Sequence, residues 1–388
     1  MPNVLFVNSG ILGQRTFAEF VRREFAGERD GIRARQVVIT DGLTVADRVL
    51  RRVLCARLWL DGAAGLWNLD LHRFRAELNA GLAARRRIRE LERRGERFDV
   101  LHFHRQATAY ASLRRMRRTP SIVSVDVTQG YLVGRARSAA EARSYLPNAR
   151  RERRIFDAAR LIVSTSQWAA DALRAEYPGC GTELVVMPNP VLLDHFGAGW
   201  AEERHARAEA DGYLPRVLFM GGDFARKGGP DLLAAWARGG FARRAWLDLV
   251  THVRPAGGDA PGVRVHTGIR AHSPEWEALW RGADVFALPT RDEAFGTVFQ
   301  EAAAAGLPAV GTRITALPEV VIDGETGAMV APGDVDAIGA ALDRLLASAD
   351  LRRRMGMAAR RRIEETAAPD AYRRRLAAAI HRLAGSAG

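Results

Sequence analysis

Two successive series of short apolar strands, each alternating with helix-like stretches, constrain this chain more than any other feature. Apolar β-branched runs fall at 3–8, 35–40, 99–103, 121–125, 160–164 and 183–187, and again at 216–221, 246–251, 263–267, 284–288, 308–311 and 327–330. Between them, helical patterns cover 15–26, 44–60, 70–95, 137–157, 166–176, 229–238, 296–305 and 335–364. A strand that is apolar at nearly every position, rather than at alternate ones, is buried on both faces. Such strands separated by helices make a parallel sheet covered on both sides, and two series predict an α/β chain of two doubly wound, Rossmann-like domains. A length of 388 residues suits two cores of ordinary size.

The break is placed near Met187-Pro188-Asn189-Pro190. A first domain over 1–188 is then followed by a linker over 189–214, whose polar stretch 197–214 has helix-forming residues but no strand signal, and by a second domain over 215–369. The amphipathic tail, helical over about 370–384 within 370–388, is expected to join either domain, packing back on the first as one option. Ligands of open α/β sheets bind beyond the carboxyl ends of the strands, so a cleft between two facing domains is the expected active site.

Composition narrows the function. No stretch approaches the roughly 18–20 apolar residues that span a bilayer, and the start, Pro2 to Asn8, reads as a strand rather than a signal peptide. A cytoplasmic protein is expected. Cys55 and Cys180 make no disulfide framework, and no Cys/His spacing suggests a metal. Residues 1–190 carry 33 Arg against 20 acidic residues, whereas 191–388 carry 25 basic and 25 acidic ones, so the net charge of +13 sits on the first half. Such a surface attracts anionic partners. Nucleic acid is disfavoured, because no binding module is evident and the arginines lack interleaved aromatics.

Of 58 basic residues, 57 are Arg and one is Lys227. GC-rich coding explains the arginines but not the place of the lysine. It lies in Gly221-Gly222-Asp223-Phe224-Ala225-Arg226-Lys227-Gly228-Gly229, just after a strand. An ammonium is a compact charge that presses against phosphate oxygens, unlike the broad guanidinium fork. The strand 284–288 similarly runs through Pro289-Thr290-Arg291-Asp292-Glu293-Ala294-Phe295 into a helix opened by Gly296 and Thr297 and carrying Glu301. Free N–H groups at that helix start suit a phosphate or a sugar hydroxyl. Glu301 lies roughly 7 Å along the axis, at about 1.5 Å per residue. By spacing alone Thr290 and Glu293 equally fit a capping box, and Glu301 equally fits an exposed helical position. A paired-carboxylate hydrolase fits less well, because both carboxylates sit on one loop–helix unit.

The stretch 283–334, with Leu288-Pro289-Thr290, Glu293-Ala294-Phe295-Gly296, Glu301-Ala302, Ala305-Gly306-Leu307-Pro308, Pro318-Glu319 and Gly324-Glu325-Thr326-Gly327, resembles the signature region of the retaining GT-B glycosyltransferases of family 4 (glycosyl transferases group 1). Glu293 and Glu301 match its E-x7-E motif, and the loop from Gly221 to Lys227 resembles its diphosphate loop. Upstream, Asp99 to His104, Ser164-Thr165-Ser166, Pro188-Asn189 and Asp194-His195-Phe196 resemble first-domain landmarks in the right order. The resemblance implies GT-B architecture and a nucleotide-diphosphate-sugar donor, with no further cofactor; because no metal-ligand set is evident, metal-independent transfer is expected. The resemblance also implies front-face transfer to an acceptor hydroxyl, in polysaccharide, glycolipid or glycoconjugate synthesis.

Residue by residue, the resemblance has Lys227, with Gly221 and Arg226, grip the donor diphosphate, and Glu301 the ribose. Glu293 holds the transferred sugar, and Phe295, Gly296 and Thr297 offer backbone N–H groups. Gly13, in Gly10-Ile11-Leu12-Gly13, resembles a glycine loop of the first domain, and His104 is implied to touch the transferred sugar. Lys227, Glu293 and His104 are thus the implied catalytic group. Two places depart from the family: Gly222 stands where Arg is frequent, with Arg226 a candidate to restore the charge, and Asp126 stands where His is common.

Arginines cluster at 51–52, 57, 85–87, 114–118 and 150–154, and Leu50, Leu54 and Leu58 recur at helical spacing near Trp59 and Trp67. Core-facing leucines with a solvated basic face are the plain interpretation. Docking on an anionic membrane surface or a lipid-linked acceptor is the sharper one, making the protein peripheral to a membrane. A phosphorylase is disfavoured, since its pyridoxal phosphate needs a lysine and Lys227 is taken. A non-catalytic sugar-nucleotide-binding module, and a GT-B enzyme with a small-molecule acceptor, stand as alternatives.

Overall fold

Each strand series closes into one parallel sheet. The structure is a computed structural model and describes residues 1–10, 14–41, 43–56, 71–136 and 138–386. The chain divides into two compact units, Met1–Pro190 with Pro369–Gly388, and Val191–Ala368.

In the first unit β1 (Asn3–Asn8), β2 (Arg33–Val38), β3 (Val100–His104), β4 (Ser121–Val125), β5 (Leu161–Ser164) and β6 (Glu183–Val186) lie in the order β2-β1-β3-β4-β5-β6. The inner strands β3 and β4 are buried along their whole length, as near-continuous apolar runs require. Leu101, Phe103 and Val123 pack with Ala84 and Ile88 of the helix His72–Arg93 and with Ile155 and Phe156 of the helix Ala139–Ala158. The final helix, Pro369–Gly385, belongs to this unit. Its Tyr372 meets Phe17 and Phe20 edge-on, with centroids 5.9 and 5.3 Å away, and its Arg382 pairs bidentately with Glu183 at 2.7 and 2.8 Å.

In the second unit β7 (Arg216–Met220), β8 (Trp246–Thr251), β9 (Val263–Thr267), β10 (Val285–Leu288), β11 (Ala309–Thr312) and β12 (Gly327–Val330) lie in the order β12-β11-β10-β7-β8-β9. The chain moves outward through β8 and β9, then returns to set β10 beside β7. The strand order reverses between β7 and β10, and this is the place where open sheets of this type bind ligands. Phe219, Leu249, Phe286 and Val310 form the sheet's share of a core completed by Trp236, Trp280 and Phe299.

Two local expectations change. The stretch 335–364 is not one helix but two, Val335–Leu346 and Ala349–Thr366, because Ser348 restarts it by accepting a hydrogen bond from the Leu351 N–H at 3.1 Å. The stretch 197–214 is not bare connection: it contains the helix Trp200–Ala208, whose Trp200 and Arg204 are buried in the second unit. Arg204 donates to the carbonyls of Gly306 at 3.2 Å and of Ala305, so its anchorage is polar and leaves little hydrophobic periodicity to read. Burial pulls its guanidinium down to about 10.

Candidate functional site

At the reversal point of the second unit, two strand–loop–helix turns start from neighbouring strands. β7 leads through 221–228 into the helix Gly229–Arg238, and β10 leads through 289–296 into the helix Thr297–Ala304. Both helices begin on a left-handed glycine, Gly228 at φ 74° and Gly296 at φ 77°, and neither has a side-chain cap. Glycine adopts this conformation without strain. The start of the helix Thr297–Ala304 presents free N–H groups and a positive dipole end to an anion. The helix Gly229–Arg238 adds chiefly its dipole, because the Gly229 N–H donates to the Phe224 carbonyl at 2.9 Å and Pro230 has no N–H.

The two loops are bound to each other. Arg291 N–H donates to the Arg226 carbonyl at 2.9 Å, and Arg226 Nη1 donates to the Asp292 carbonyl at 2.8 Å. A Cβ on Gly228 would overlap the Pro289 carbonyl, lying 2.6 Å from its carbon, so this approach also requires glycine. Arg291 grips Asp231 with two bonds of 2.8 and 2.6 Å, tying the second loop to the first loop's helix.

Lys227 and Glu293 meet inside this frame. The ammonium is paired with Glu293 Oε2, with the side chains only 13% and 16% exposed. Glu293 Oε1 takes the Ala294 N–H at 3.2 Å, and the Glu293 carbonyl takes the Thr315 hydroxyl at 2.8 Å. No capping box forms, because the helix begins only at Thr297 behind Gly296. The helix cap is therefore excluded, and the Glu293 carboxylate stands in a charge pair. Gly221 lies under the lysine stem: a Cβ there would stand 3.0 Å from Lys227 Cγ. Arg226 is engaged by Asp223 as well as by Asp292, with Nε 3.2 Å from Asp223 Oδ2.

Phe295 is buried, so what that position can offer a ligand is its backbone. Glu301 stands half-buried in the second turn of its helix, with no side-chain partner among the described residues, and burial pushes its carboxyl up to about 7. The far end of that helix is held by two cations: Arg360 binds the Ala304 carbonyl, and Arg204 binds those of Ala305 and Gly306.

In the first unit, β3 stays regular through His104, which registers with Asn8 of β1 and Ser124 of β4. His102 and His104 therefore share a face. His104 is buried and stacked on Phe17, centroids 3.6 Å apart at 1°. Burial, with His102 and Arg105 nearby, holds its imidazole well below the usual range, so it is neutral. His102 is bound to Ser124 Oγ at 2.8 Å and lowered to about 3 by burial. Asp126 follows β4, and its Oδ1 is buried without a partner among the described residues. The same holds for the side chains of Asn8 and for Thr165 Oγ1, at the ends of β1 and β5. Thr165 lies in the landmark stretch Ser164-Thr165-Ser166, whereas the one signal of Asn8 in the sequence is a polar residue at an apolar strand's end. Gly13, Arg57, Leu58, Trp59 and Trp67 lie outside the described residues.

The basic surface has its own geometry. On the helix Val45–Leu54, Leu50 and Leu54 are half-buried, whereas Val45, Val49 and Val53 are 68%, 57% and 64% exposed beside Arg48, Arg51 and Arg52. A cavity of about 720 Å³ at the outer edge of β2 is lined by Arg15, Arg22, Arg87 and Arg94. Those arginines are already held by Gly10, Glu19, Asp41 and Glu90, so the cavity is a poorer anion site than the uncapped helix start at Thr297. Among the described residues no helix is long and apolar enough to cross a membrane, and no group of three or more His, Cys, Asp or Glu side chains is placed to hold a metal ion.

Two Rossmann-like units, one with paired Lys and Glu side chains at its reversal point, have the architecture of the GT-B glycosyltransferases. The family models agree: residues 57–195 match Glycosyltransferase Family 4, and residues 262–362 match Glycosyl transferases group 1. The chain belongs to this family. It is 38% identical over 157 residues to MMP alpha-(1->4)-mannosyltransferase of Mycolicibacterium hassiacum, a match that spans 38% of this chain and 38% of that protein. Sucrose-phosphate synthase of Thermosynechococcus elongatus superimposes with a TM-score of 0.74 at 17% identity, covering 100% of both chains. Anabaena HepE, solved with UDP and glucose, superimposes with a TM-score of 0.66 at 14% identity, covering 98% of this chain and 100% of that one.

Proposed function

We propose that this chain transfers a sugar from a nucleoside-diphosphate sugar to an acceptor hydroxyl, with retention of configuration. The observation that carries this is the pair of uncapped, glycine-started helices at the reversal point, with the chain's single lysine between them. The diphosphate lies against those helix starts and Lys227, with Gly221 giving close backbone approach. Glu301 accepts hydrogen bonds from the ribose hydroxyls, and Glu293 from hydroxyls of the sugar. Backbone N–H groups at Phe295, Gly296 and Thr297 complete the donor side. HepE, the neighbour solved with UDP and glucose, supports a donor of this class.

In the first unit, neutral His104 offers a ring nitrogen and its backbone to the transferred sugar. The leaving diphosphate, its charge stabilised by Lys227 and the helix dipoles, accepts the proton of the attacking hydroxyl on the face it leaves. The protein then supplies positioning and electrostatic stabilisation of an oxocarbenium-like state. The transfer needs no metal, so EDTA leaves the rate unchanged. The acceptor is lipid-linked, and the helix Val45–Leu54 docks its valines and arginines on an anionic membrane.

The test is a panel of UDP-, GDP- and ADP-sugars, screened by thermal shift and then by release of nucleoside diphosphate. At least one donor is expected to stabilise the protein and to be slowly hydrolysed, and Glu293→Ala to abolish hydrolysis. Turnover of no donor, or full turnover by Glu293→Ala, overturns the assignment.

A further inference from the structure

Gly222 and His252 occupy one place. Gly222 opens the loop after β7, and His252 immediately follows β8, the strand next to β7. The Gly221 N–H donates to the Val250 carbonyl at 3.0 Å, so the loop starts against the end of β8. A Cβ built on Gly222 would lie 2.6 Å from Cδ2 and 3.0 Å from Cε1 of His252, and closer still to Nε2. The imidazole therefore fills the space through which any side chain of residue 222 would leave the backbone. Both residues are exposed, and His252 has no side-chain partner among the described residues. Arg226 leaves this post open, since its guanidinium is engaged by Asp223 and by the Asp292 carbonyl.

We propose that His252 is a ligand of the donor diphosphate, donating a ring N–H to a phosphate oxygen from the edge of the loop that carries Lys227. An imidazole retains at least one N–H donor in either protonation state. Its position at the carboxyl end of β8, one strand from the reversal point, is where phosphate oxygens extending from Lys227 are reached. Gly222 is then a requirement of this arrangement, because any larger residue displaces the ring. The inference rests on the donor-site reading of the loop 221–229.

The test is calorimetric titration of wild type, Lys227→Ala, His252→Ala and the double variant Gly222→Arg/His252→Ala with UDP, GDP, ADP and the three parent nucleosides. For the nucleoside diphosphate that wild type binds, His252→Ala is expected to weaken affinity about tenfold, the scale of one hydrogen bond to a charged group. Nucleoside binding and the melting temperature are expected to stay unchanged. The double variant, which supplies a cation from the freed position, is expected to recover most of the loss. Unchanged diphosphate affinity in His252→Ala, with binding lost in Lys227→Ala, overturns the role of His252 alone. An equal loss for the nucleosides shows a merely structural ring and overturns it too. No diphosphate binding by wild type overturns both this inference and the donor-site reading.

Discussion

Lys227 and Glu293, 66 residues apart, form an ion pair that joins the two loops at the reversal point of the second unit. Neither side chain is more than 16% exposed, so each neutralises a charge that solvent reaches poorly. Three N–H donors let the ammonium keep Glu293 while also meeting a phosphate oxygen.

Removal of either partner leaves the other as an uncompensated, partly buried charge. Lys227→Ala and Glu293→Ala are each expected to lower kcat/KM for the donor by about 100-fold or more, the lower end of what truncating a buried charge pair costs. The double variant is expected to lose far less than the product of the two. Lys227→Arg is expected to be nearly as poor as alanine, because a planar fork does not fit a point-charge position. Wild-type kinetics in Lys227→Arg would refute this use of the ammonium.

Glu301 gives the site a pH dependence with a defined sign. Its carboxyl is raised from an ordinary 4.5 to about 7, so the folded protein binds more protons than the unfolded chain between those values. The stability this group contributes is present below about 4.5 and lost as pH rises through about 7. Ribose binding runs the other way, because the carboxylate is the better acceptor for two hydroxyls. Nucleotide affinity is therefore expected to weaken as pH falls below about 7, while the ligand-free protein gains stability from this residue. Glu301→Gln is expected to flatten both trends in paired titrations and melts; the same slopes in the variant would rule Glu301 out as their source.

Gly228 is fixed twice, by its φ of 74° and by the Pro289 carbonyl that a Cβ would overlap. Gly324 has a similar φ of 78° but open space around it. Gly324→Ala is expected to lose about 1–2 kcal/mol of stability from the left-handed backbone alone. Gly228→Ala is expected to lose more and to separate the two loops, raising donor KM about tenfold as Lys227 leaves its position. Equal effects of the two substitutions would show that the loop approach is not what Gly228 provides.

Much of this was legible because burial on both faces writes itself into composition. The inner strands announced themselves as apolar runs such as Val285–Leu288, and the reversal-point loops as glycines after a strand, whereas the edge strand Arg33–Val38, buried at no position, carries Arg33, Arg35 and Gln36. The helix Trp200–Ala208 showed only as helix-forming residues in a polar stretch, because one of its two buried side chains is the guanidinium of Arg204, and a polar anchor adds nothing to a hydrophobic period. Spacing left Glu293 between a helix cap and a ligand; the helix start at Thr297 removes the cap, and the pairing with Lys227, set by the adjacency of β7 and β10, could not be read from either loop by itself. The fit of His252 against Gly222 likewise depends on two neighbouring strands. Local sequence shows Gly222 as a departure and gives no sign that His252 meets it.

The valines of the helix Val45–Leu54 make the membrane proposal testable without touching the donor site. Val45, Val49 and Val53 recur every fourth residue and so lie on one stripe, and all three are more than half exposed. Arg48, Arg51 and Arg52 on the same short helix are exposed too, while Leu50 and Leu54 turn partly inward. An apolar stripe edged by cations suits the boundary between headgroups and acyl chains, where each arginine near an anionic surface is worth about 1 kcal/mol. Vesicles with a third of anionic lipid are expected to carry the protein upward in a flotation gradient at low salt, and neutral vesicles to carry little. Binding is expected to fall as salt shortens the screening length to about 8 Å at physiological ionic strength. Val49→Glu/Val53→Glu is expected to abolish flotation by removing the inserted stripe. Arg48→Glu/Arg51→Glu/Arg52→Glu is expected to abolish it by reversing the attraction. Both variants are expected to keep wild-type nucleotide affinity, since the helix belongs to the first unit and the donor loops to the second. Flotation that persists in both variants would move the membrane contact elsewhere on the chain, and no flotation of wild type would remove it.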